Sequence, residues 1–167
     1  MEVKGVEKNK LNILNKFFSR NTFRHCYEEG YDKIYGQVIK KYINYDSTKT
    51  NSELVSEIYN ILKTEYRNEY YYKNTLLNKL LLGVHSVNTT TALTEIPIAK
   101  SKADFVLING KAVVYEIKTE LDNLERLESQ INDYFKAFDH VAVVTYNENV
   151  TAIQKKIDSI GKPVGIY

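Results

Sequence analysis

The chain has 167 residues, enough for one domain with a sizeable core. Lysine and arginine total 23 against 21 acids, a net charge of +2, which excludes binding nucleic acid by a strong overall field and leaves only a local basic patch. One cysteine, Cys26, excludes an internal disulfide and fits a reducing cytosol; the widely spaced His25, His85 and His140 give no zinc spacing.

The first half reads as helical. Leu11, Leu14, Phe17 and Phe18 keep helical spacing, as do Ile34, Val38 and Tyr42. A third helix begins at Asn51 or Ser52, with Leu54, Ile58, Ile61 and Leu62 inward. The aromatic and charged run Tyr66 to Lys73 reads as a packed corner between helices. A fourth helix, Leu76 to Leu81, stops at Gly83, a residue suited to a left-handed end. The joints around Gly30 and Tyr45-Asp46-Ser47-Thr48 are short, and no repeat or low-complexity tract interrupts the chain.

From Thr91 the period becomes strand-like: Thr91–Ile98, Ala103–Ile108 and Lys111–Lys118. A helix from about Asp122 to Phe138 follows, with Asp122 and Glu125 resembling a capping box. His140–Tyr146 is an apolar strand buried on both faces. A short helix, Asn149 to Ile160, and a strand, Pro163 to Tyr167, close the chain. The expected fold is α/β: a helical region over residues 1–90 packed on a mixed-sheet core over 91–167, in one compact domain. No apolar stretch has membrane-spanning length and the charged start is no signal peptide, so a cytoplasmic protein with no membrane partner is expected.

The second and third strands carry Asp104, Glu116 and Lys118 among apolar residues, and ionisable groups are costly to bury without a task. Residues two apart share a strand face, so Glu116 and Lys118 point the same way. Asp104 joins them only if the turn is odd. A two-residue Asn109-Gly110 turn would oppose Asp104 to Tyr115; a three-residue loop, Ile108-Asn109-Gly110, would oppose it to Val114 and make it a diagonal neighbour of Glu116. Both turns suit the sequence. Two converging carboxylates attract a hard divalent cation, whereas split acids would leave one buried without a partner. The same-face arrangement, with an odd loop or a bulge at Gly110, is therefore expected.

At these residues the chain resembles the PD-(D/E)XK, or restriction-endonuclease-like, nuclease superfamily. Asp104 stands for its first acid, Glu116-Ile117-Lys118 for its E-x-K, and Ala103 replaces its usual proline. Gln130 and Tyr134, four apart on one helical face, look like the Q-x-x-x-Y element of the RecB-like exonuclease branch. The stretch from Thr94-Glu95-Ile96-Pro97 to Phe138-Asp139 is also similar to a little-characterised bacterial and phage family in that superfamily. The resemblance implies an αβββαβ core and a metal-dependent nuclease that hydrolyses DNA through a metal-activated water. Mg²⁺ or Mn²⁺ would be held by Asp104, Glu116 and the Ile117 carbonyl, with Lys118 placing the water or neutralising phosphate and Gln130 orienting the site. Glu95 is the expected additional acid; Glu53 and Glu57 fit the pattern less well. The resemblance also leaves open a homodimer or larger assembly. Lys100 and Lys102 are candidate phosphate contacts, and Arg126 reads more simply as a surface residue. The alternative is a non-catalytic nucleic-acid- or protein-binding module on the same fold.

Overall fold

The computed structural model describes residues 12–43, 48–65, 67–84, 88–120 and 122–167. Leu11, Tyr45–Ser47, Tyr66 and His85, used in the reading above, lie outside them. The chain divides after Tyr71 into two compact units, so residues 72–84 group with the sheet and not with the helices, and the division falls earlier than residue 90.

The first unit is built from helices whose ends are fixed by side-chain caps. Residues 12–17 form α1. Ser19 caps α2 (Arg20–Glu29), and Gly30, at φ 73°, ends it in the left-handed conformation. Asp32 caps α3 (Lys33–Tyr42), accepting from the Ile34 and Tyr35 N–H groups at 2.7 and 3.1 Å. Thr50 and Glu53 bond reciprocally to open α4 (Asn51–Glu65), so Glu53 is committed to a capping box, and Glu57 pairs with Lys49 at 2.7 Å. Leu14, Phe17, Val38, Ile58 and Leu62 are fully buried at the centre. The reading of the sequence missed α2 because this helix buries only Thr22, whose hydroxyl donates to the Lys16 carbonyl. It presents no apolar stripe.

In the corner expected over 66–73, Asn68 accepts from the Tyr71 N–H at 2.9 Å and so caps α5 (Glu69–Leu76). A π-helical segment, Leu77–Val84, continues from it and includes Gly83, which is absent from the left-handed glycines among the described residues. The helix therefore passes through Gly83.

Five strands form one sheet in chain order: β1 (Thr91–Ile98), β2 (Ser101–Asn109), β3 (Lys111–Lys118), β4 (His140–Thr145) and β5 (Val164–Ile166). The first three are antiparallel; β4 and β5 join in parallel, each after a helical crossover, α6 (Leu127–Tyr134) and α7 (Val150–Ile160). Val106, Val114, Ile131, Tyr134, Val143 and Ile153 pack on one face, and Leu76, Phe105, Leu107, Tyr115, Ile117 and Val144 on the other. With a core on each face, β4 reads as a continuous apolar run. The chain is thus a mixed α/β protein, a helical half followed by a five-stranded mixed sheet. Among the described residues no helix is long and apolar enough to cross a membrane.

α6 is shorter than expected at both ends. Asp122 turns back to accept from the N–H and hydroxyl of Thr119, at 2.8 and 2.7 Å, so it closes a turn and caps no helix. Phe135 already serves as the C-terminal cap.

Candidate active site

The β2–β3 register decides the geometry of the acids. Ile108 pairs with Ala112 and Asn109 with Lys111, so the turn is centred on Gly110, at φ 68°. It is odd, as expected, but displaced from Ile108-Asn109-Gly110 to Asn109-Gly110-Lys111. The displacement moves the register by two residues. Continued from Phe105↔Tyr115, it sets Asp104 directly opposite Glu116 and not diagonally from it.

The β1–β2 register adds a third acid. Thr94↔Phe105 and Ile96↔Ala103 bracket Glu95 and Asp104, so Glu95, Asp104 and Glu116 form one row across three neighbouring strands. Both ladders lapse at this row. Glu95 has φ 59°, rare for a side-chain-bearing residue and costing about 1–2 kcal/mol. Side-chain alternation breaks there too: Ala92 and Ile96, four apart, lie on opposite faces, while Ala103 and Val106, three apart, share one. The sheet opens where the acids stand.

Asp104 Oδ2 fills part of the gap by accepting from the Ile117 N–H at 2.8 Å. A strand residue directs its N–H and C=O to the same flank, so the Ile117 carbonyl faces β2 as well. Glu116, 2% exposed, is held on both oxygens. Oε1 accepts from Lys118 Nζ at 2.7 Å and Gln130 Nε2 at 2.5 Å; Oε2 accepts from the Tyr134 hydroxyl at 2.5 Å. Lys118 Nζ also donates to Gln130 Oε1 at 3.0 Å, which closes a ring of three side chains. α6 supplies Gln130 and Tyr134 one turn apart, so both reach β3 from the same helical face. Burial and the Glu116 charge push the Tyr134 phenol far above its ordinary value, so it remains a donor.

Glu95 lies at the open end of the row, and an oxygen of Glu95 lies within 4.8 Å of one of Asp104. Its own oxygens are paired with Lys73 and Lys102. Burial pushes the Glu95 carboxyl up, but the hydrogen bonds from the two lysines prevail and hold it below the usual range. Lys73, on α5, was not anticipated: no spacing in the sequence connects it to Glu95. The backbone N–H of Lys100 donates to the buried Asp133 at 3.2 Å, which fixes the start of β2. Arg126 stands at the start of α6. The oxygens able to hold a hard cation are those of Asp104, Glu95, the Ile117 carbonyl and the remaining lone pair of Glu116.

A family model described as Bacteriophage P4 protein cII matches residues 62–167, a span that contains the whole sheet and the acid row. The chain belongs to this family. Protein cII of Enterobacteria phage P4 is 26% identical over 93 residues, covering 54% of this chain and 31% of that protein. The chain thus spans about a third of the length of the curated cII protein it matches. No solved structure matches it.

Proposed function

We propose that this cII-family chain is a divalent-metal-dependent nuclease that hydrolyses DNA phosphodiester bonds, with a restriction-endonuclease-like core of the PD-(D/E)XK superfamily. One observation carries the reading: acids from three adjacent strands stand in one row where the ladders open, Glu95 and Asp104 with oxygens within 4.8 Å of each other and Glu116 beside a buried lysine. The donor set suits the ion. An ionised carboxylate offers about four lone-pair sites. On Glu116 three are used by Lys118, Gln130 and Tyr134, and one remains. All the ligands are hard oxygens of the kind Mg²⁺ and Mn²⁺ prefer. When bound, such an ion supplies Lewis-acid activation of water and neutralises charge developing on phosphate.

The remaining work falls to this chain's own groups. Tyr134 and Gln130 fix the Glu116 carboxylate in one orientation. Lys118 uses two of its three N–H donors on Glu116 and Gln130, which leaves one for a water or a phosphate oxygen. Asp104 is oriented by the Ile117 N–H. The second reading, a non-catalytic binding module, is favoured by the ion pairs: Lys73 and Lys102 already occupy Glu95, and Lys118 occupies Glu116.

The test is incubation with single-stranded, duplex and branched DNA in Mg²⁺, Mn²⁺ or EDTA. Metal-dependent cleavage, abolished in Asp104→Asn and Glu116→Gln, is expected. A metal-loaded protein that cuts none of these substrates would favour the module.

A further inference from the structure

Each oxygen of Glu95 carries a separate ammonium group. Lys73 holds Oε1 and Lys102 holds Oε2. The Glu95, Lys102 and Lys73 side chains are 41%, 60% and 19% exposed, whereas Lys118 and Glu116 are 8% and 2% exposed, so the Lys102 pair is the most open and the Lys73 pair is intermediate. Exposed ion pairs are weak and exchange readily; the buried pair is costly to break. The row thus has a fixed end and an exchangeable end.

Charge gives the exchangeable end a consequence. Within the row, the two lysines on Glu95 and the one on Glu116 offset the carboxylates' pull on a cation and withhold three ammonium groups from a polyanion. A divalent cation would add two positive charges there and would compete with both lysines for Glu95. Lys102 cannot drift far, because its backbone carbonyl lies 3.0 Å from the Tyr134 hydroxyl beside the row. Displaced from Glu95, its ammonium remains at the mouth of the site.

We propose that Lys73 and Lys102 are phosphate-binding groups held on Glu95 and released to the DNA backbone when a divalent cation takes that carboxylate. This rests on the metal-site reading above and goes beyond it, by making DNA affinity conditional on the cation. Glu95 is then a positioning residue for the lysines as well as a ligand.

The test measures affinity of the full chain for a fluorescein-labelled duplex with a single-stranded overhang, by anisotropy across a salt series. It compares EDTA with Ca²⁺, an oxygen-seeking cation used in place of Mg²⁺ to suppress turnover. Two phosphate contacts steepen the dependence of log Kd on log salt by roughly 1.4 to 1.8. Ca²⁺ is expected to produce that steepening in the unaltered protein and not in Lys73→Ala/Lys102→Ala. Glu95→Gln is expected to show it in EDTA alone, and Glu148→Gln, which removes an exposed charge elsewhere, is not. If Glu95→Gln in EDTA matches Glu148→Gln, the proposal is overturned. Lys102→Ala, at an exposed side chain, serves as a second variant should the double substitution lower thermal stability; retention of the full Ca²⁺ effect there also contradicts it. Calorimetric absence of cation binding would overturn the metal-site reading itself. Cation binding and cleavage with an unchanged salt slope would overturn only the lysine release.

Discussion

A buried lysine beside a buried glutamate limits what can replace either, because removing one partner strands a charge in the core. Tyr134 belongs to that group although it carries no charge. Its hydroxyl donates to Glu116 and is kept protonated by burial and by the Glu116 charge itself. Tyr134→Phe should therefore lower stability by about 2 kcal/mol, the scale of a hydrogen bond to a charged group. Urea denaturation of the two proteins measures it; a loss below about 0.5 kcal/mol would show that Glu116 does not depend on this donor. At this scale the sequence was partly legible. Glu116 and Lys118 announce themselves because charge stands inside an apolar alternation, and Gln130 and Tyr134 because four residues make one helical turn. The Lys73 and Lys102 clamp on Glu95 was hidden. It depends on α5 meeting β1, a contact without local signature.

At the scale of elements, the turn at Gly110 controls the site. A Cβ there would meet nothing within 4 Å, so the cost of a side chain is confined to the backbone at φ 68°. Gly110→Ala should cost about 1–2 kcal/mol, and Gly110→Asn less, since asparagine tolerates the left-handed region. Equal costs in thermal melts would contradict that account. The helix caps carry a second expectation. Burial pushes the Asp32 carboxyl up, but hydrogen bonds from Tyr35, His25 and Ile34 prevail and lower it. A depressed carboxyl stabilises the fold above its unfolded value of about 3.9, and that contribution fades as pH falls through the folded value. Asp32→Ala should thus cost about 1 kcal/mol at neutral pH. The difference should shrink below about pH 4, as circular dichroism melts at pH 7 and pH 3 would record. Strands and crossover helices with clear periodicity were legible in the sequence. α2 was not, because its caps, one buried threonine and the exposed Phe23 ring against Phe17 and Phe18 make no continuous apolar face. The turn's odd parity was legible only through the acids, since Asn109-Gly110 suits two- and three-residue loops alike with a slight lean to two, and its centre was not legible because only the paired strands choose it.

At the scale of the whole molecule, a net charge of +2 gives DNA little long-range attraction, so the proposed DNA binding must depend on the local field at the acid row. The family match covers that row and the full sheet, while the relative from phage P4 is about three times longer than the shared stretch. The chemistry proposed here is accordingly confined to residues 72–167, where every proposed ligand lies. Glu53 and Glu57 already have partners within their own helical unit. The most direct measurement is nicking of supercoiled and single-stranded DNA by the unaltered chain beside Asp104→Asn, each with Mg²⁺ and with EDTA. The account predicts cleavage in one condition alone, the unaltered chain with Mg²⁺. Cleavage that survives in Asp104→Asn or in EDTA would contradict it.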